Sequence, residues 1–288
     1  MKKSYKLRGD ANAWEGGWTL FSRHALVRAR TGVIAATVCF WAIAAAAATR
    51  VPDASPLDSA AAGFKSYVLD QIARCLSATK NMRERIAAQD LAGAQQAWLG
   101  ARGGWEGSEV ITNEFFADLD RKIDAWPDAE KGFHAIEAKL FGAHDVRALP
   151  AAEELVNDLE DFDAQLRATK LTAQGLLNGS TKLAYEIGEN KAEGGESPFS
   201  GNSLQEIRDN IASIAAAYAR VFAPATKKRN AALAKTFTED LGRMHALVSV
   251  ASLQELDQVG LRTLSETLAN DLVMIGRESG LERPGLGN

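Results

Sequence analysis

The sequence predicts an all-α fold. Alanine is abundant, and the alternation of Val, Ile and Thr that marks strands is missing. From Phe64 to Ile275 apolar side chains recur at spacings of three and four. With 288 residues, 46% hydrophobic and 24% charged, the chain has material for an ample core.

Residues 1–48 read as a segment outside that fold. Lys2, Lys3, Lys6, Arg8, Arg23, Arg28 and Arg30 make a basic leader, and Gly32 to Ala48 is an apolar run ending in small residues. This is the pattern of a secretory signal peptide cut near Ala48; an uncleaved anchor, at the short limit for a membrane span, is the alternative. Thr37-Val38 before Cys39 lacks the small residue that a lipoprotein signal needs. The leader's seven basic and two acidic side chains give it +5, so the formal −4 of the chain becomes −9 once it is removed. A mature protein this acidic is a poor general nucleic-acid binder and suits cation capture. It keeps one cysteine, Cys75, which cannot form an internal disulfide and falls on an apolar helical face, as a core thiol does.

Residues 49–56 read as a linker. The first helix spans about 57–89, with Phe64, Val68, Ile72, Cys75, Met82 and Ile86 on its apolar face. Asp90 caps a second helix that runs to Phe116 through Trp98, Trp105, Glu106 and Glu109. Gly103-Gly104 within it either kinks the helix or admits a close neighbour. Residues 117–131 read as an acidic turn with Asp118, Asp120 and Asp124, bent at Pro127. A third helix, 129–142, carries His134 and Glu137, with Gly142 as its C-cap. Pro150 opens a fourth, whose Glu153, Glu154, Asp158, Glu160 and Asp161 form a solvated face.

A fifth helix covers 172–189, and 190–202 is a loop of the kind that borders sites. Ser203 opens a sixth helix with Glu206 at capping-box spacing, so Glu206 serves either the cap or a site. That helix runs to Pro224, Lys227-Lys228-Arg229 opens the seventh, and the eighth spans 252–279. His245, with no carboxylate at ligand spacing, reads as a packing or surface residue. Eight helices with a pause in the middle suggest two stacked four-helix bundles, roughly 57–170 and 171–281.

The chemistry lies between Trp105 and Phe141. On a helix, His134 and Glu137 sit about 60° apart on one face, so an imidazole and a carboxylate can take adjacent positions on a metal ion. Glu106 and Glu109 repeat the spacing. Phe133, Ile136, Leu140, Trp105 and Val110 flank these groups, and desolvated carboxylates seek a cation or donors. The candidate ligands are Glu106, Glu109, Asp124, His134, Glu137 and Glu206, with Asp120 and Glu196 as outer members. An oxygen-rich set with one nitrogen suits iron, manganese, zinc or calcium better than copper(I).

These residues also carry a family resemblance. Ala101-Arg102, Trp105-Glu106, Glu109, Leu119-Asp120, Ile123-Asp124 and Gly132-Phe133-His134 with Ile136-Glu137 resemble the imelysin-like, EfeO-type family with its GxHxxE motif. Glu196, Phe199, Ser200, Leu204 and Asn210 fit a later block of that family; Gly201 and Ser203 depart from it, where His and Asp are usual. The resemblance implies the double-bundle fold and an exported protein, in the periplasm or at the cell surface of a Gram-negative bacterium. It implies capture of iron or another divalent cation such as zinc, copper or calcium, passed to an inner-membrane iron permease system. Short members that bind alginate imply a second reading, an acidic-polysaccharide binder using Lys80, Arg83 and Arg85 or Lys227, Lys228 and Arg229. A third, a metallopeptidase, lacks an HExxH motif here and has no marked general base.

Overall fold

Eleven α-helices and no strand make up residues 55–125 and 130–285, the residues described in the computed structural model. The leader, residues 49–54 of the linker, and the expected bend at Trp126-Pro127 lie outside them. No helix among the described residues is long and apolar enough to cross a membrane.

Helix α1 spans Pro56–Ala87, with Pro56 in its first turn and the Ser55 hydroxyl accepting from the Asp58 amide. It buries Phe64, Val68, Ile72, Cys75, Met82 and Ile86 along one stripe, against α2 (Leu91–Glu106) and α6 (Leu149–Ala168). Cys75 is fully buried, and burial pushes its thiol up to about 12. Gly104 lets α2 lie on α1: a Cβ there would stand 2.7 Å from the Cys75 amide nitrogen. The glycine pair therefore serves close packing, and the helix breaks later, at Gly107-Ser108, before α3 (Glu109–Phe115).

The expected acidic turn is itself partly helical, α4 (Ala117–Ile123). Leu119 and Ile123, four residues apart, bury one side of it and give it the core contact that holds a short helix. The third predicted helix starts later than expected, as α5 (Gly132–Glu137), and continues as a π turn, Ala138–Gly142. The Trp98 indole donates to the Phe133 carbonyl at 3.1 Å and Gln95 to the Leu140 carbonyl at 2.7 Å, pinning this segment to α2. Trp105 packs edge-on to Phe162 of α6, with ring centroids 5.3 Å apart. The outer face of α6 is exposed at Glu153, Glu154, Glu160 and Asp161, as its charge pattern requires.

Helix α7 (Ala173–Glu189) packs on α3 and on α11 (Gln258–Ser279). Residues 190–202 form the expected loop, with one 3₁₀ turn at Lys191–Glu193. Helix α8 (Ser203–Ala217) runs through a π turn, Tyr218–Phe222, into α9 (Ala223–Arg229). Pro224 sits in the first turn of α9, where its missing N–H leaves no gap, so the chain stays helical past it. Lys227, Lys228 and Arg229 therefore close α9 and do not open the next helix. Asn230 caps α10 (Ala231–Leu247), and His245 near its end is exposed. The eighth predicted helix begins at Gln258, after a 3₁₀ turn at Leu253–Glu255. Helices α2 and α8 pack together, and the candidate site lies along that seam.

Candidate functional site

Arg102 and Glu106 are one turn apart on α2, so both side chains point toward α8. Arg102 is fully buried. Its Nε donates to Glu206 Oε1 at 3.0 Å, Nη1 to Asp124 and Nη2 to Glu106. Its guanidinium lies 5.3 Å from the Phe133 ring centre and 6.0 Å from that of Trp98. One planar cation thus ties α2, the end of α4 and α8.

A second internal cation comes from the loop. Lys191 Nζ stands 2.9 Å from Glu106 Oε2, 2.9 Å from Glu109 Oε2 and 3.6 Å from Glu196 Oε1. Asn210 of α8 donates from Nδ2 to the same two glutamates, at 2.8 and 2.7 Å.

The GFHAIE run places His134. Gly132 has φ +74°, and a Cβ there would lie 2.6 Å from the carbonyl oxygens of both Lys122 and Ile123. Only glycine fits that turn. His134 Nε2 faces Asp124 Oδ1 at 3.2 Å and Nδ1 faces Glu137 Oε2 at 3.3 Å. Glu137 Oε1 accepts from the Phe199 amide (3.1 Å), the Ser200 amide (2.8 Å) and the Ser200 hydroxyl (2.8 Å). The loop is latched to α5 through this one oxygen.

Two overlapping ligand sets result. Asp124, His134 and Glu196 offer donor atoms within 4.8 Å of one another, as do Glu106, Glu109 and Asp124. A cavity of about 180 Å³ adjoins them, lined by Glu109, Asp120, Asp124, Lys191 and Glu196 among others. Glu137 and Glu206 join the network but not these sets: Glu137 orients His134, and Glu206 Oε1 accepts from Arg102, Ser197 Oγ (2.6 Å) and Asn202 (3.2 Å). Glu206 thus bonds within this network, Asn202 being the N-cap residue of α8. The Ser203 hydroxyl is engaged instead with the Ser197 amide and the Gly194 carbonyl. Asp120 stands at the cavity wall, bonded by Asn113 at 3.3 Å. Gly201 has φ +70° in the loop.

Burial opposes charge on Glu106, Glu109, Asp124, Glu137 and Glu196, and the cations decide which of them overcome it. Glu106 lies below its ordinary value because Arg102 and Lys191 outweigh desolvation. Asp124 is held far below it by Arg102 and His134. Glu109 is pushed well up by burial and by Glu106, and Glu196 is pushed up by burial. His134 is raised to about 9, because its bonds to Asp124 and Glu137 outweigh desolvation. His134 therefore keeps its proton at neutral pH, while Glu109 takes up a proton more readily than an ordinary glutamate. Within the site, Glu206 Oε2 and Asn210 Oδ1 are buried without a hydrogen-bond partner among the described residues.

The His134 shift predicts a pH dependence. Its folded value lies above its ordinary 6.5, so its stabilisation is complete below about 6.5 and is lost as pH rises through about 9. The full effect is roughly 3 kcal/mol at about 1.4 kcal/mol per unit. Urea denaturation of the metal-free protein from pH 6 to 10 is expected to show this loss. In His134→Gln that component is absent; parallel curves for the two proteins would contradict the assignment.

The basic groups lie elsewhere. Lys80 pairs with Glu160 at 2.7 Å, Arg83 stands 3.9 Å from Glu84, and Arg85 pairs with Asp90 at 3.0 Å. Lys227 and Lys228 are exposed, and Arg229 bonds the Glu278 carbonyl. Arg102, Lys191, Asn210, Ser197 and Ser200 bond the candidate ligands without being candidate ligands in the sequence. Arg102 had a signal, its i,i+4 spacing to Glu106 between two tryptophans; Lys191, a lone loop lysine, had none.

The family model for imelysin matches residues 60–131 and 128–275. Iron uptake system component EfeO of Yersinia pseudotuberculosis serotype I is 29% identical over 170 residues, which are 56% of this chain and 45% of that protein. Iron uptake system component EfeM of Pseudomonas syringae pv. syringae is 27% identical over 169 residues, 54% of this chain and 59% of that one. The match thus spans less than two thirds of either relative. A crystal structure of a protein described as an iron-regulated protein A precursor, from Parabacteroides distasonis, shares the fold at TM-score 0.63 and 18% identity, covering 77% of this chain and 95% of that one.

Proposed function

The chain belongs to the imelysin family, and from that premise we propose that it is an exported iron-capturing protein of the EfeO type. In this reading it works in the periplasm or at the cell surface, takes a ferrous or ferric ion as cargo, and hands it to a membrane permease system. The observation that carries it is the convergence of five donors, Glu106, Glu109, Asp124, His134 and Glu196, from five separate segments beside one cavity. The relatives named as iron uptake components support the choice of ion.

The donor chemistry fits. Six carboxyl groups of the site, Glu106, Glu109, Asp124, Glu137, Glu196 and Glu206, face three cationic side chains, Arg102, Lys191 and His134. The unpartnered Glu206 and Asn210 oxygens add acceptors without donors. Such a site has room for further positive charge. A single histidine, with carboxylates at both nitrogens, reads as a binder's ligand rather than a hydrolase's base. Loading releases the His134 proton, so affinity falls in acid.

Anaerobic calorimetry with ferrous ion, and parallel titrations with ferric, zinc, copper and calcium ions, tests the reading. The wild type is expected to bind ferrous or ferric ion, more tightly at pH 8 than at pH 6. His134→Ala/Glu137→Ala is expected to bind roughly 100-fold more weakly, having lost a ligand and its orienting partner. A wild type that takes up no iron, or a double variant that binds as well, removes the proposal.

A further inference from the structure

We infer that Lys191 is a resident counter-ion: its ammonium occupies the cation position between the two ligand sets, and an incoming metal ion displaces it. The inference rests on the cation-capture reading and adds how the site is kept and opened.

The position is the first argument. Lys191 Nζ touches Glu106 and Glu109, from one ligand set, and stands near Glu196, from the other. An ammonium has three N–H donors, and here three carboxylates surround it, as they would surround a metal ion. A metal ion bound to Glu106 and Glu109 cannot coexist with an ammonium 2.9 Å from the same oxygens, because two cations that close repel strongly inside a protein.

The attachment is the second. Arg102 is fixed: it rises from the middle of α2, lies by two aromatic rings, and uses three nitrogens on three carboxylates. Lys191 sits in the 3₁₀ turn that begins the 190–202 loop, on a flexible four-carbon stem. Of the two internal cations, it is the one able to leave.

The third is a destination. The cavity that Lys191 lines also presents Glu186 and Asp120. An ammonium swung into it meets new carboxylates, so leaving does not strand a buried charge. Asn210 shows the same provisional bonding. Its Nδ2 donates to Glu106 and Glu109, while its buried Oδ1 has no hydrogen-bond partner among the described residues. Both donors occupy carboxylate oxygens that a metal ion would claim.

The test uses the whole protein and Lys191→Met, which keeps the stem and removes the charge. Without metal, the variant is expected to melt at a lower temperature, since Glu106 and Glu109 lose their partner. With ferrous ion under anaerobic calorimetry, it is expected to bind about tenfold more tightly or better, the internal competitor being gone. A variant that binds equally or more weakly than a binding wild type overturns displacement and leaves cation capture standing. If the wild type takes up no ion, cation capture and displacement both fall. Should the variant not fold, reductive methylation of wild-type Lys191 decides by mass spectrometry. Labelling is expected to be slow without ion and much faster at saturating ferrous ion; unchanged or slower labelling overturns the inference.

Discussion

Arg102→Met destabilises the folded protein by about 3–5 kcal/mol at neutral pH, the cost of stripping the partner from buried charges. Arg102 is fully buried and donates to Glu106, Asp124 and Glu206, two of which are also fully buried. An exposed arginine with the same contacts would contribute about 1 kcal/mol or less. Here water cannot replace the guanidinium, so three carboxylates are left repelling one another around a hydrophobic stem. The loss also has a pH signature. Arg102 is what holds Glu106 and Asp124 down against burial, so without it both move up, and the gap to the wild type narrows as pH falls and they take up protons. Urea denaturation at pH 7 and pH 5 is the measurement, and the gap to wild type is expected to narrow at pH 5. A gap below about 1 kcal/mol at pH 7 would mean the bridge is not the centre of the network.

Gly132→Ala is expected to cost about 3 kcal/mol or more and to weaken metal binding with it. The φ of +74° alone costs an L-residue about 1–2 kcal/mol. The added Cβ then meets two backbone carbonyl oxygens at 2.6 Å, and backbone cannot swing aside as a side chain can. Relief requires the start of α5 to move away from the end of α4, which separates His134 from Asp124. Gly201→Ala is the control. Its φ is +70°, yet a Cβ there meets nothing within 4 Å, so only the conformational cost of about 1–2 kcal/mol remains. Melting curves of both variants, with iron titrations of each, separate backbone strain from collision. Equal losses in the two would show that the close approach at Gly132 is not rigid.

The helices were legible because their apolar residues follow the 3.6 period closely: Phe64 to Ile86 on α1 fixes that helix to within two residues at each end. The His134–Glu137 pair was legible for the same reason, since spacing along one helix needs no knowledge of the rest of the fold. Segments of seven residues were not. Helix α4 has room for only one apolar pair, and its acidic residues outweighed Leu119 and Ile123 in the sequence. Glu206 was ambiguous because a capping box and a site glutamate use the same spacing. In the structure the Ser203 hydroxyl is taken up by loop backbone, and Glu206 bonds Arg102, Ser197 and the Asn202 side chain. Lys191 was illegible in principle: what makes it part of the site is the path of a thirteen-residue loop, which no local pattern encodes.

The bonds from Arg102 to Glu206 and from Asn210 to Glu106 each join residues 104 positions apart. This makes assembly of the centre a late event in the life of the polypeptide. During synthesis the ribosome releases α2 well before α8, and until the distant helix arrives the early half has no mate for its ionised seam. A nascent chain in that condition keeps its ionised seam in water until α8 has been made.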